Sequence, residues 1–185
     1  MKPRVIYLHG NQATHWSFAW APWLKTELEK NGFPTFFETM PDSIIARSEY
    51  WLPFLKDHVR AGKKDILIGW SSGAVAAMRY AERNKVKGSI LVGACHTDLG
   101  DELERQSGYY SEPWNWEAIK TNQEWIGQFG SINDPVIPVE ESRFVQENLN
   151  SDYQEFDNKF HFGWPEPMET FPELLEMILK KGYGE

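Results

Sequence analysis

The chain holds 185 residues, 41% hydrophobic and 25% charged, a composition that excludes a disordered polymer and suits a folded chain burying roughly 70% of its unfolded surface. Nineteen Lys and Arg against 27 Asp and Glu give a formal charge of -8, the wrong sign for gripping a nucleic-acid backbone, and the single cysteine, Cys95, excludes a disulfide framework or a zinc ribbon. The apolar run Val5 to Leu8 after Met1-Lys2-Pro3-Arg4 is far too short for a leader, and no later stretch approaches a bilayer span, so a cytoplasmic protein without nucleic-acid or membrane partners is expected.

Short apolar runs bounded by turn residues alternate with stretches of helical spacing, the pattern of strands and crossover helices in a mostly parallel sheet. Val5-Ile6-Tyr7-Leu8 reads as the first buried strand. Trp20, Trp23, Leu24 and Leu28 then fall at helical spacing, and Asn31-Gly32 supplies the stop. Thr35 to Glu38 reads as a second strand, followed by a helix over about Arg47 to Val59. Asp65 to Trp70, apolar throughout its middle, is the expected sheet centre, covered on both faces. The Ala-rich segment Ser72 to Arg83 predicts a helix packed closely on that sheet.

Gly88 to Gly93, Trp125 to Gly130 and Tyr153 to Phe156 complete six strands, with helices near Trp116 to Thr121, Glu140 to Leu149 and Pro172 to Lys180. Between them Cys95 to Pro113 lacks periodicity and carries Asp98, Asp101, Glu102 and Glu104 beside Tyr109 and Tyr110. It is expected as an irregular connection, either a pocket wall or a partner surface. Nine Trp, 11 Phe and seven Tyr are expected to line the core and an apolar pocket. No repeat or linker divides the chain, so residues 1–185 read as one domain with helices on both faces of the sheet and no large cap domain.

The sharpest chemical signal is Gly69-Trp70-Ser71-Ser72-Gly73, a G-x-S-x-G at a strand-to-helix junction. The glycines permit close backbone approach in a sharp turn, which would leave Ser71 projecting from the sheet as a nucleophile. The amide of Ser72, at the start of the new helix, would then face a developing oxyanion. The competing reading is a plain tight turn with a capping serine.

A serine nucleophile needs a base and a group to orient it, in the chain order serine, acid, histidine for this fold class. Asp134, in a polar turn after the fifth strand, and His161, in Phe160-His161-Phe162-Gly163-Trp164 beyond the sixth, fit that order. His96 and Asp98 stand as the alternative histidine and acid. A second oxyanion donor is expected from the loop His9-Gly10-Asn11-Gln12, with Asn11 the preferred amide and Gln12 the other. His9, Gln12, His15, Trp16, Trp70, Phe162 and Trp164 are candidate pocket residues.

The segments Met40-Pro41-Asp42, Trp51-Leu52-Pro53-Phe54, Gly69 to Ala74, Ala76-Ala77-Met78-Arg79-Tyr80-Ala81-Glu82, Asp98-Leu99-Gly100-Asp101-Glu102, and Phe129-Gly130-Ser131 with Asp134-Pro135 resemble the retinoblastoma-binding protein 9-like small serine hydrolases. The resemblance spans nearly the whole chain. It implies an α/β-hydrolase fold without a large cap, and a triad of Ser71, Asp134 and His161. Departures from the family pattern are Phe160, where Gly commonly precedes the histidine, and the less Gly-rich loop Asn11-Gln12-Ala13-Thr14.

The resulting expectation is a serine hydrolase acting on a small ester or amide through an acyl-enzyme, with no metal or organic cofactor. Binding to a retinoblastoma-type pocket is not expected, because Gly93 and Thr97 flank Cys95 where L-x-C-x-E requires Leu and Glu. The alternative is a non-catalytic binding module on the same fold, presenting the Cys95 to Pro113 stretch. A nucleotide enzyme ranks third, since neither G-x-G-x-x-G after the first strand nor a P-loop is present.

Overall fold

A computed structural model describes residues 2–182. Its six strands are β1 (Arg4–Leu8), β2 (Thr35–Phe37), β3 (Asp65–Trp70), β4 (Gly88–Val92), β5 (Trp125–Ser131) and β6 (Asp152–Phe156). They form one sheet in the order β2-β1-β3-β4-β5-β6, and every neighbouring pair is parallel rather than most of them. The helices are α1 (Ala21–Lys30), α2 (Ser48–Pro53), α3 (Ser72–Ala81), α4 (Glu102–Ser107), α5 (Trp116–Thr121), α6 (Val139–Leu149) and α7 (Pro172–Gly182).

Strand periodicity divides the core in two. Val5, Tyr7, Ile66, Ile68, Ile90 and Val92 face a layer containing Leu24, Leu28, Leu174 and Ile178 from α1 and α7. Ile6, Leu8, Leu67 and Leu91 face the opposite layer, built on α3 with Trp51, Ile119 and Val145. All ten residues of α3 are buried. Its alanines let that helix lie close against the sheet, and β3, paired to β1 and β4, sits inside as its apolar run predicts.

Two expectations need correction. The helix expected over Arg47 to Val59 is α-helical only to Pro53 and continues as a π-turn over Phe54–His58. Pro53 has no N–H for the ladder, and the wider turn carries the chain past that gap. The Cys95 to Pro113 connection is not wholly irregular, because α4 lies within it. Asp101 caps α4 by accepting from Leu103 N at 2.8 Å and Glu104 N at 3.1 Å, and Gly108, left-handed at φ 78°, ends it.

Candidate active site

The carboxyl ends of β1, β3, β5 and β6 supply the candidate residues. At the end of β3 the chain turns into α3 within one residue, Ser71, whose backbone sits at φ 56° and ψ -123°. That conformation is strained for a side chain larger than glycine. It is held by Ser71 N donating to Val92 O at 2.9 Å and by α3 starting immediately. The flanking glycines are sterically required. A Cβ on Gly69 would stand 2.3 Å from Gly73 O, and one on Gly73 would stand 2.1 Å from Leu8 O. Strand and helix thus approach more closely than any side chain allows, and Ser71 is carried at the crest of the turn.

Asp134 follows β5. Its Oδ1 accepts the amides of Val136 at 2.8 Å and Ile137 at 2.9 Å, which leaves Oδ2 to meet His161 Nδ1 at 2.8 Å. Both side chains are buried, at 6% exposure for His161 and 2% for Asp134. The two backbone donors fix the carboxylate plane, and the carboxylate fixes the imidazole with its Nδ1–H directed at Asp134.

The histidine loop is pinned at several points. Asn133 Oδ1 accepts Phe160 N at 2.8 Å, Ser131 Oγ accepts Lys159 N at 3.0 Å, and Ser131 Oγ donates to Asn133 Oδ1 at 2.9 Å. Trp70 Nε1 donates to His161 O at 3.0 Å and Trp20 Nε1 to Phe162 O at 2.9 Å. These contacts hold Phe160 and Phe162 at positive φ of 47° and 52°. Gly93, after β4, gives the imidazole room, since a Cβ there would lie 3.3 Å from His161 Cε1.

Ser71 and His161 border one cleft of about 430 Å³, together with Gly10, Asn11, Gln12, Ala13, Thr14, His15, Phe18, Trp70, Val136 and Trp164. A smaller cavity of about 210 Å³ beside Arg79 and Glu82 contains none of the candidate residues. Ser72 is the first residue of α3, where a helix has no internal acceptor for its amide. In the β1 loop, Gln12 N donates to Ile44 O at 2.9 Å, so the amide of Gln12, the other donor candidate, is already engaged.

Of the pocket candidates, the cleft takes in Gln12, His15, Trp70 and Trp164 but not His9, Trp16 or Phe162. His9 lies fully buried under the loop, its Nε2 accepting Met40 N at 2.8 Å and its Nδ1 2.7 Å from Gly10 O. Burial lowers its pKa, and an acceptor role at Nε2 requires the neutral ring. Phe162 is fully buried against Phe171 and Phe156, and Trp16 packs on the same core layer. Nothing in a local sequence tells which side of a loop each ring takes.

The alternative histidine and acid are engaged elsewhere. His96 Nδ1 lies 2.7 Å from Glu141 Oε2, and Asp98 Oδ1 accepts Gly100 N at 2.9 Å within its own turn. Phe18, Thr14 and Val136 line the cleft without having been read as site residues, and Glu104 reaches its rear wall. Burial raises the Glu104 pKa, against hydrogen bonds from Tyr110, Asn11 and Ser72 that lower it. Burial likewise pushes the Cys95 thiol upward, far from a reactive thiolate. Among the described residues no group of three or more His, Cys, Asp or Glu is arranged to hold a metal ion, and no helix is long and apolar enough to cross a membrane.

A parallel sheet in this strand order, with a glycine-flanked serine between its third strand and the following helix, defines an α/β hydrolase. The serine hydrolase family model matches residues 7–180, and the chain belongs to that family, siding with its retinoblastoma-binding protein 9-like members. It is 45% identical to the serine hydrolase RBBP9 of Rattus norvegicus over 170 residues, 91% of this chain and 88% of the relative. The crystal structure of the ydeN gene product from B. subtilis superposes with a TM-score of 0.87 at 22% identity, covering 97% of this chain and 98% of that one. The esterase RhEst1 from Rhodococcus sp. ECU1013 gives 0.68 at 14% identity, covering 99% and 91%. The chain is accordingly a hydrolase enzyme.

Proposed function

We propose that the chain works as one domain that hydrolyses small, uncharged esters or amides through an acyl-enzyme on Ser71. The observation that carries this reading is the buried 2.8 Å contact of His161 Nδ1 with Asp134 Oδ2 beside a cleft that Ser71 and His161 share. A binding module has no use for such a pair, which favours catalysis over the non-catalytic alternative.

In the reaction, His161 Nε2 takes the Ser71 hydroxyl proton as Oγ attacks the carbonyl carbon. The charge that develops on the carbonyl oxygen is met by the amides of Ser72 and Asn11. Collapse breaks the bond to the alcohol or amine, which leaves with the proton from His161. Water, deprotonated by the same imidazole, then releases the acid and restores Ser71. Asp134 stays ionised throughout and stabilises the imidazolium.

The cleft sets the substrate class. Phe18, Trp70, Val136 and Trp164 give it an apolar wall, and no Asp, Glu, Lys or Arg is among its described lining residues. A charged acyl group entering there would lose hydration without gaining an ion-pair partner from Asp, Glu, Lys or Arg. Labelling with a fluorophosphonate followed by peptide mapping tests the nucleophile. An adduct on Ser71 in folded protein, absent from Ser71→Ala and from denatured protein, is expected. Absence of the adduct in folded protein would remove the triad. Faster turnover of p-nitrophenyl palmitate than of the acetate would count against a small-substrate cleft.

A further inference from the structure

We propose that Glu104 is a positioning residue for the oxyanion site, acting through the Asn11 side chain; this rests on the triad reading above. Glu104 Oε1 accepts Asn11 Nδ2 at 2.7 Å and lies 3.4 Å from Ser72 Oγ, so one carboxylate touches both residues whose amides face the oxyanion. Its Oε2 accepts the Tyr110 hydroxyl at 3.0 Å, and Tyr110 Oη lies 3.2 Å from Cys95 Sγ. The capped helix α4 therefore delivers a partly buried acceptor to a loop 93 residues earlier in the chain.

The loop needs such an anchor. Immediately after Asn11, Gln12 and Ala13 take positive φ of 54° and 63°, a conformation that persists only where surrounding contacts over-determine it. Backbone bonds from Gln12 N to Ile44 O and Ala13 N to Ser43 O hold the far side of the loop. Glu104 holds the near side, at the residue whose amide faces the cleft. Without it, the Asn11 side chain is free to turn and its amide to drift from the line on which the oxyanion develops. Such drift raises the barrier without weakening ground-state binding, because Glu104 is not among the residues lining the cleft.

The test is a double-mutant cycle on steady-state ester hydrolysis, with Ser71→Ala measured alongside. Glu104→Ala is expected to lower kcat by about 10- to 100-fold with KM within about twofold, and Asn11→Ala, at a residue that lines the cleft, to lower kcat by a similar factor. The double variant is expected to be no more than about twofold slower than the worse single. Multiplying effects, or wild-type kcat in Glu104→Ala, would overturn the positioning role. If Glu104→Ala does not fold, the isosteric swap answers the same question. Asn11→Asp alone sets two carboxylates 2.7 Å apart and should slow turnover, and adding Glu104→Gln should recover most of the loss. No recovery would also overturn the proposal. Activity in Ser71→Ala would instead show that the triad reading has failed, whatever the cycle gives.

Discussion

Replacing Asp134 by Asn changes one atom, and the structure dictates where that atom goes. Two backbone amides, Val136 N and Ile137 N, donate to Asp134 Oδ1 at 2.8 and 2.9 Å. Only the carbonyl oxygen of Asn can take that place. The flipped rotamer would set an NH2 against two N–H groups and leave donors unsatisfied at about 1–3 kcal/mol each. The Asn NH2 must therefore face His161 Nδ1, where Oδ2 now stands 2.8 Å away. Nδ1 then becomes an acceptor, the ring proton moves to Nε2, and the base meets Ser71 with a hydrogen instead of a lone pair. Turnover is expected to fall by something approaching 10⁴, about 5 kcal/mol of barrier, with the fold intact. Initial rates on p-nitrophenyl acetate, read beside far-UV circular dichroism and thermal melts, check this. A folded Asn variant that keeps more than about a tenth of wild-type kcat would refute the assignment of Asp134 as the group that fixes the tautomer.

Four further outcomes are expected. Gly73→Ala places a Cβ 2.1 Å from Leu8 O, a backbone atom that cannot swing aside; a loss of about 3 kcal/mol or more, or roughly 6–12 °C in Tm, should appear in thermal melts. His9 carries a lowered folded pKa, so the unfolded chain binds its proton first, and stability is present above about 6.5 and lost as pH falls below it. His9→Gln should show a shallower loss of Tm between pH 6.5 and 5, and an unchanged slope would remove His9 as the cause. Phe162→Ala empties a fully buried site and should cost about 3–5 kcal/mol in denaturant unfolding. Trp164→Ala, at a ring 50% exposed on the cleft, should leave stability nearly unchanged and raise KM; the reverse pattern would mean the two rings have been assigned to the wrong sides.

Strands β1 to β5 were legible as largely apolar runs bounded by turn residues, whereas β6 is an exposed edge strand whose apolar side chains are Tyr153 and Phe156 alone. β3 matches its expected bounds of Asp65 to Trp70, and each of the others differs by one residue at one end. Ser71, Asp134 and His161 could be nominated because the roles proposed for them impose an order on the chain. Helix α4 was hidden because its six residues carry one aliphatic side chain, Leu103, too little for a period to show. Its cap was nonetheless visible, since Asp101 three residues before Glu104 is the spacing of a helix start. The lining of the cleft was legible only in part. Phe162 and Trp164 stand two residues apart, and their opposite fates depend on the left-handed turn at Phe162 and on an aromatic cluster gathered from β5, β6 and Phe171, the residue before α7.

The order in which the strands leave the ribosome is also the order in which the candidate site is supplied. Ser71 comes with β3, near the middle of the sheet, and β1 and β2 are already made by then. Asp134 arrives after β5, and His161 only after β6, the edge strand of the sheet. If Ser71 needs His161 as its base, a nascent chain that has made the serine turn but not yet His161 is expected to be inert toward an ester, and so is a molecule truncated before His161.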